Sequence, residues 1–212
     1  MVSFVYFDVG GVVVDDFSGN DKWEDLKREL GINDTNSEAF EQIWKRYEPE
    51  LCIGRDVETL LPIFNEKLGL KLSNNYSLLA GFVNRFEANL GIWPILDSLK
   101  SITQVGLLTN MYPNMFTAIL QKQILPEVDW DQIVDSSLES LQNQIEGFSK
   151  LAEKRANVPH DEILFVDNGS KHIQEAKAFG WQTYLYDSSN HLVTVAKLKS
   201  FLEGLEFQNL NK

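Results

Sequence analysis

The sequence predicts an α/β fold: a doubly wound parallel sheet carrying an inserted all-helical cap. Three observations lead there. Residues 4–16 read FVYFDVGGVVVDD, and a continuous run of β-branched and aromatic residues is what a strand buried on both faces of a parallel sheet requires. From about Asp21 to Leu90 apolar residues recur at three- and four-residue spacing, the helical period. From Ile92 onward helical and extended patterns alternate, which implies βα units with helices on both faces of the sheet.

Taken in order, the first strand ends on Asp8, and Gly10-Gly11 follow after one residue. In open α/β sheets ligands bind just beyond the carboxyl ends of such strands, so Asp8 stands where chemistry is expected. The helical zone holds four stripes: Trp23, Leu26 and Leu30; Phe40, Ile43, Trp44 and Tyr47; Val57, Leu60, Leu61, Phe64 and Leu68; Tyr76, Leu79, Ala80, Val83 and Phe86. They read as the core positions of a small bundle, with breaks at Gly31, at Pro49 with Gly54, and at Gly69 with Ser73-Asn74-Asn75. A helix beginning near Trp93-Pro94 leads to a strand at Gln104–Leu108. Next come a helix around Pro113–Leu125, with Pro113 in its first turn, and a strand at Gln132–Val134. A helix at Ile145–Ala156, a strand at Glu162–Val166, a helix near Ser170–Phe179 closed by Gly180 and a strand at Gln182–Tyr186 complete the series. The division expected is a core of residues 1–16 with 91–212 and a cap of 17–90.

Composition narrows the function classes. The 212 residues are 43% hydrophobic and 24% charged, an ordinary globular balance, and no apolar run approaches the roughly 18 residues of a membrane span. With no secretory signature at the N-terminus, the expectation is a cytoplasmic protein that engages no membrane. A single cysteine, Cys52, excludes an internal disulfide and a cysteine-based zinc site. A net charge of −12 and the lack of any basic stripe argue against nucleic acid, whose phosphates demand clustered Lys and Arg.

The strand ends then converge. Gly-Leu-Leu-Thr109-Asn110 and Leu-Phe-Val-Asp167-Asn168 put Thr109 and Asp167 at the same relative place as Asp8. Two carboxylates brought together repel unless a cation joins them, which points to Mg²⁺ held by Asp8, Asp167, a backbone carbonyl and waters. Thr109 and Asn110 could hold a phosphoryl oxygen.

At these residues the chain resembles the haloacid dehalogenase-like superfamily, whose core is Rossmann-like, and within it the phosphatases with a helical cap inserted after the first strand. The segment Phe-Asp8-Val-Gly-Gly-Val resembles the first motif, Leu-Leu-Thr109-Asn110 the second and Leu-Phe-Val-Asp167-Asn168 the fourth. The likeness implies that Asp8 is a nucleophile forming an aspartyl-phosphate that water then hydrolyses, with Mg²⁺ bound by Asp8, the Gly10 carbonyl, Asp167 and, through water, Asn168. It implies substrate contacts from Gly11, Thr109 and Asn110 and a small phosphorylated metabolite as substrate, sugar phosphates being among those of the Gly-Gly subgroups.

Three departures from that pattern stand out. Gly10 occupies the place of the usual acid–base Asp, Asn143 with Gln144 that of the usual Lys-Pro, and Asn168 that of a second acidic residue. Lys150, Lys171 and Arg55 are the candidates to supply the missing cation, and His172 reads as a hydrogen-bonding turn residue rather than a base. In the cap, Trp44 and Tyr47 with Arg46, Arg55 and Asp56 are candidates to face the site, Asp56 reading equally well as an N-cap. The expected function is a Mg²⁺-dependent phosphatase of weak or unusual activity. The alternative is a catalytically impaired relative that binds a phosphorylated ligand or a protein.

Overall fold

The computed structural model describes residues 1–73, 75–139 and 145–208. The chain opens with β1 (Phe4–Phe7) and a two-residue strand, β2 (Val14–Asp15). Four helices follow: α1 (Lys22–Leu30), α2 (Ser37–Leu51), α3 (Leu60–Leu68) and α4 (Leu78–Val83). The chain returns through β3 (Glu87–Ala88), antiparallel to β2 with Val14 opposite Ala88, so the two form a short neck beneath the four helices. Beyond it run α5 (Trp93–Lys100), β4 (Gln104–Thr109), α6 (Met115–Gln121), β5 (Gln132–Asp135) and α7 (Ser136–Glu139). The last elements are α8 (Ile145–Ala156), β6 (Ile163–Asp167), α9 (Ser170–Ala178), β7 (Gln182–Leu185) and α10 (His191–Glu203).

The main sheet is parallel, in the order β5-β4-β1-β6-β7. With β1 at its centre, Phe7 pairs with Leu107 on one side and Val166 on the other. That register sets Asp8, Thr109 and Asp167 along a single edge, at the point where the connections leave in opposite directions. Alternation along β1 explains why the whole strand is apolar. Val5 and Phe7 face one cluster, which continues into Leu26, Phe40, Trp44 and Phe64 of the four inserted helices, whereas Phe4 and Tyr6 face Phe148, Ala152 and Trp181 on the other side. Each such fully buried side chain contributes about 1.5–3 kcal/mol of transfer free energy, so both sheet faces require cover.

Several expected boundaries move. Pro49 does not break its helix: α2 runs on to Leu51, because the carbonyl a proline leaves unpaired lies one turn back, at exposed Lys45, where water can solvate it. Pro113 precedes its helix instead of entering it. Asn114 at φ 66° interrupts the chain there, and Gln123 at φ 58° follows the helix end, so α6 is only seven residues long. Tyr76 and Phe86 fall outside α4, while Val57 lies in a 3₁₀ turn ahead of α3. Asp56 caps that turn by accepting from Glu58 N at 2.9 Å. Breaks at Gly31 and Gly69 stand as expected, both glycines closing a helix in the left-handed conformation.

Candidate functional site

Asp8 is the first residue past β1, and its backbone N–H still bonds Val166 O of β6 at 2.9 Å, which pins it between the two neighbouring strands. Its Oδ1 accepts from Val9 N at 2.8 Å. Burial pushes the carboxyl well above the usual carboxylate range, and the charge of Asp167 adds to that. A hydrogen bond from the Thr109 hydroxyl and the nearby His172 ring pull the other way. Thr109 itself is buried at the end of β4. Thus β1, β4 and β6 each deliver one group, and the sheet register alone brings the three together.

Asp167 is held from both sides: Oδ1 accepts from Gly169 N at 2.5 Å, and Oδ2 faces His172 Nδ1 at 3.1 Å. The bond to Asp167 raises the His172 pKa, so this ring on the first turn of α9 carries positive charge over a wider pH range than a free histidine. His172 therefore lies within the site and is more than a turn residue. None of the three proposed cation donors lines the cavity. Lys171 is exposed beside Glu175, Arg55 pairs with Glu50 at 2.6 Å and stacks on Tyr47, and Lys150 is an exposed residue of α8. Asn143 lies outside the described residues.

A cavity of about 450 Å³ opens directly above Asp8. Its polar end is formed by Asp8, Gly10, Asn110, Asn168 and His172, and among the described residues no Lys or Arg lines it. From the cap candidates only Trp44 reaches this space; Tyr47, Arg46, Arg55 and Asp56 do not. Tyr47 is instead flanked by the guanidinium groups of Arg46 and Arg55, at 5.4 Å and 4.4 Å from its ring centre.

The two glycines act differently. Gly11 has φ 73°, and a Cβ there would sit 2.0 Å from Asn168 Nδ2, so only glycine allows the β1 loop to pack on the β6 loop. Its carbonyl accepts from Ser188 Oγ at 2.6 Å, and it does not line the cavity. At Gly10 the neighbour is Asp16: a Cβ would lie 2.6 Å from Asp16 Oδ2. Standard bond lengths place an aspartate's own oxygens about 2.4 Å from its Cβ. Asp16 therefore holds a carboxyl oxygen at nearly the radius at which an Asp at position 10 would hold its own. The turn that brings it back is made by Val12, Val13 and Val14, whose N–H groups all bond Val9 O. Asp16 accepts from Ser18 N at 2.8 Å, lines the cavity, and is raised above the usual carboxylate pKa chiefly by burial. Sequence reasoning missed this residue; the only available signal was a second carboxylate shortly after the Gly-Gly turn.

The donor set suits a hard cation. Among the described residues no three His, Cys, Asp or Glu side chains cluster closely enough to bind a metal unaided. What the site offers is two mutually repelling carboxylates, the backbone at Gly10 and Asn168, whose amide nitrogen donates to Ser188 Oγ at 3.1 Å and leaves the carbonyl oxygen for other partners. One or two carboxylates completed by waters is the usual way Mg²⁺ is bound.

No protein-family model matches the sequence, and no curated protein matches it. Solved structures do. A predicted HAD-like family hydrolase from Porphyromonas gingivalis superposes with a TM-score of 0.70 at 19% identity, over 97% of this chain and 100% of that one. A HAD family enzyme from Bacteroides thetaiotaomicron, in complex with magnesium and inorganic phosphate, gives 0.71 at 16% identity, over 90% of this chain and 96% of that one. An L-2-haloacid dehalogenase from Xanthobacter autotrophicus gives 0.63 at 19%, over 97% and 84%. The fold of this chain is therefore the haloacid dehalogenase-like fold.

Proposed function

We propose that the protein is a Mg²⁺-dependent phosphomonoesterase in which Asp8 attacks phosphorus. The observation that supports this most is the Asp8 carboxylate itself: half-buried, next to a second carboxylate, bonded by Thr109 and lining a cavity large enough for a small ester. Likeness to hydrolases of this fold, one of them crystallised with magnesium and phosphate, agrees with the reading.

The chain's residues divide the work as follows. Asp8 must be ionised to attack, although its surroundings favour the neutral form; the Thr109 hydroxyl and the His172 ring lower its pKa and hold it toward the cavity. Asp8, Asp167 and the Gly10 carbonyl, with Asn168 through water, would hold Mg²⁺, which supplies charge stabilisation to the transferring phosphoryl group. Asn110, just past β4, lines the cavity and would meet phosphoryl oxygens, Thr109 acts through its bond to Asp8, and Gly11 contributes by letting the two loops close. Asp16 stands in for the acid absent at position 10: with its pKa raised chiefly by burial, it would donate to the departing alcohol oxygen and then take the proton from the water that cleaves the aspartyl-phosphate.

A panel of phosphomonoesters tests the reading. Expected are phosphate release that depends on Mg²⁺ and its loss in Asp8→Asn; release that persists in Asp8→Asn refutes the nucleophile. One observation favours a second reading, a module that binds a phosphorylated ligand without turnover: no Lys or Arg lines the cavity among the described residues. That reading predicts affinity for phosphate with no hydrolysis of any panel member.

A further inference from the structure

The far end of the cavity is chemically unlike the Asp8 end. Trp23 and Trp44 from the inserted helices, Phe82 and Phe86 beside the neck, and Tyr112 and Met111 from the loop after β4 form a continuous apolar wall. The rings brace one another: Trp23 and Trp44 meet edge to face at 5.1 Å, Trp44 and Tyr112 at 6.0 Å, and Phe82 and Tyr112 at 5.7 Å. With Trp44 only 8% exposed and Phe82 2%, the wall is formed before any ligand arrives, and binding against it orders few side chains.

Apart from His172 at the Asp8 end, the charged groups that line the cavity are carboxylates. Asp8, Asp16 and Glu48 line the cavity, Glu48 at its mouth beside Trp44, and no Lys or Arg among the described residues offsets them. A substrate with a second anionic group would meet Glu48 and the acidic Asp16 in a partly desolvated space, with no Lys or Arg among the described lining residues to pair with. One rich in hydroxyls would lose hydration against a surface with few polar partners. A volume of about 450 Å³ also lies near the lower end of the roughly 300–1,000 Å³ that ligand pockets span.

Resting on the phosphomonoesterase reading of the same site, we infer that the preferred substrate is a phosphomonoester of a small alcohol bearing an uncharged aromatic ring and no second anion. Phosphoryl oxygens sit at the Asp8 end and the ring lies on Trp44 and Tyr112. This departs from the sugar phosphates that the Gly-Gly motif suggests, because the wall offers stacking where a sugar needs hydrogen bonds.

Non-hydrolysable phosphonates test the inference apart from turnover. With the full chain and Mg²⁺, tryptophan fluorescence and calorimetry should show benzylphosphonate binding about tenfold or more tighter than methylphosphonate, and phosphonoacetate binding weaker than either. Trp44→Leu should reduce the benzyl-to-methyl ratio to below about threefold. Tyr112→Ala gives the same readout if the first variant folds poorly. Phosphonoacetate binding as tightly as benzylphosphonate overturns the inference, as does a benzyl-to-methyl ratio near one or no measurable phosphonate binding. Acetyl phosphate, which needs no contact with the wall, separates the two claims. No hydrolysis of it alongside an intact benzyl preference sinks the phosphatase reading alone, whereas hydrolysis with no benzyl preference sinks this inference alone.

Discussion

Replacing Asp16 by Asn removes the ionisable group and almost nothing else. The amide oxygen keeps the acceptor that Ser18 N uses at 2.8 Å, and the side chain still fills the volume beside Gly10, where a Cβ would come within 2.6 Å of the present oxygen. What disappears is proton donation to the leaving oxygen. General acid–base assistance is typically worth 10² to 10⁴ in rate, or about 3–5 kcal/mol, and it matters in proportion to the basicity of the departing oxygen. The loss should therefore depend on the leaving group. For alkyl and benzyl phosphates kcat/KM should fall about 10²- to 10⁴-fold, while for p-nitrophenyl phosphate, whose phenolate departs without a proton, it should change by less than about threefold. The assay is steady-state phosphate release across a series of phosphomonoesters of graded alcohol acidity. An equal loss for every leaving group would show that Asp16 only shapes the loop, and no loss for any would show that it takes no part.

Other outcomes follow from the same site. In metal-free buffer Asp8→Asn should melt higher than the parent protein. The Asp8 pKa is raised in the folded state, so the stability tied to its protonated form is full below the unfolded pKa of about 3.9 and is lost as pH rises through the folded value. At neutral pH the ionised pair costs stability that the amide restores, at about 2–4 °C per kcal/mol for a chain of this size. Differential scanning fluorimetry at pH 7.5 should show the gap, closing below about pH 4. Mg²⁺ should raise the melting temperature of the parent more than that of the variant. Glu29 carries the opposite sign: its bonds from Arg85 and Tyr76 lower its pKa, so its contribution is present above the unfolded value and fades as pH falls through the folded one. Glu29→Gln should cost about 0.2–1 kcal/mol at pH 7 by urea unfolding, and the cost should shrink as the pH falls below the unfolded value. Gly11→Ala should destabilise by more than about 1 kcal/mol, since φ 73° and contact with Asn168 both oppose a side chain there, and an unchanged urea midpoint would refute the packing described.

How far the sequence revealed the molecule depends on whether a feature is periodic and local. The β1 strand was legible because both its faces are buried, so every position is apolar, and α8 was legible because Phe148 and Ala152 repeat on one face. By contrast α10 was not foreseen: Thr194, Leu198 and Leu202 form its buried stripe, but exposed Leu192 and Val193 blur the pattern. Asp8, Thr109 and Asp167 could be placed together because parallel register needs only strand ends. Asp16 and His172 could not, since one depends on a turn that folds the chain back over Gly10 and the other on the rotation of α9 toward Asp167. Histidine 191 shows the same limit. No spacing in the sequence singles it out, yet His191 is partly buried, with Nδ1 3.0 Å from the Tyr186 hydroxyl and 3.1 Å from Asn89 Nδ2. The aromatic stripes were read as core, and most of that surface is; Trp23, Trp44, Phe82 and Phe86 serve also as cavity wall because the cluster is continuous across the neck.

The central claim is a covalent phosphoryl group on Asp8. Enzyme quenched in acid during turnover of acetyl phosphate with Mg²⁺, digested and examined by mass spectrometry, should carry one phosphoryl group on the peptide that contains Asp8, absent without Mg²⁺ and in Asp8→Asn. Turnover with that peptide unmodified, and a phosphoryl group elsewhere or nowhere, would contradict the account.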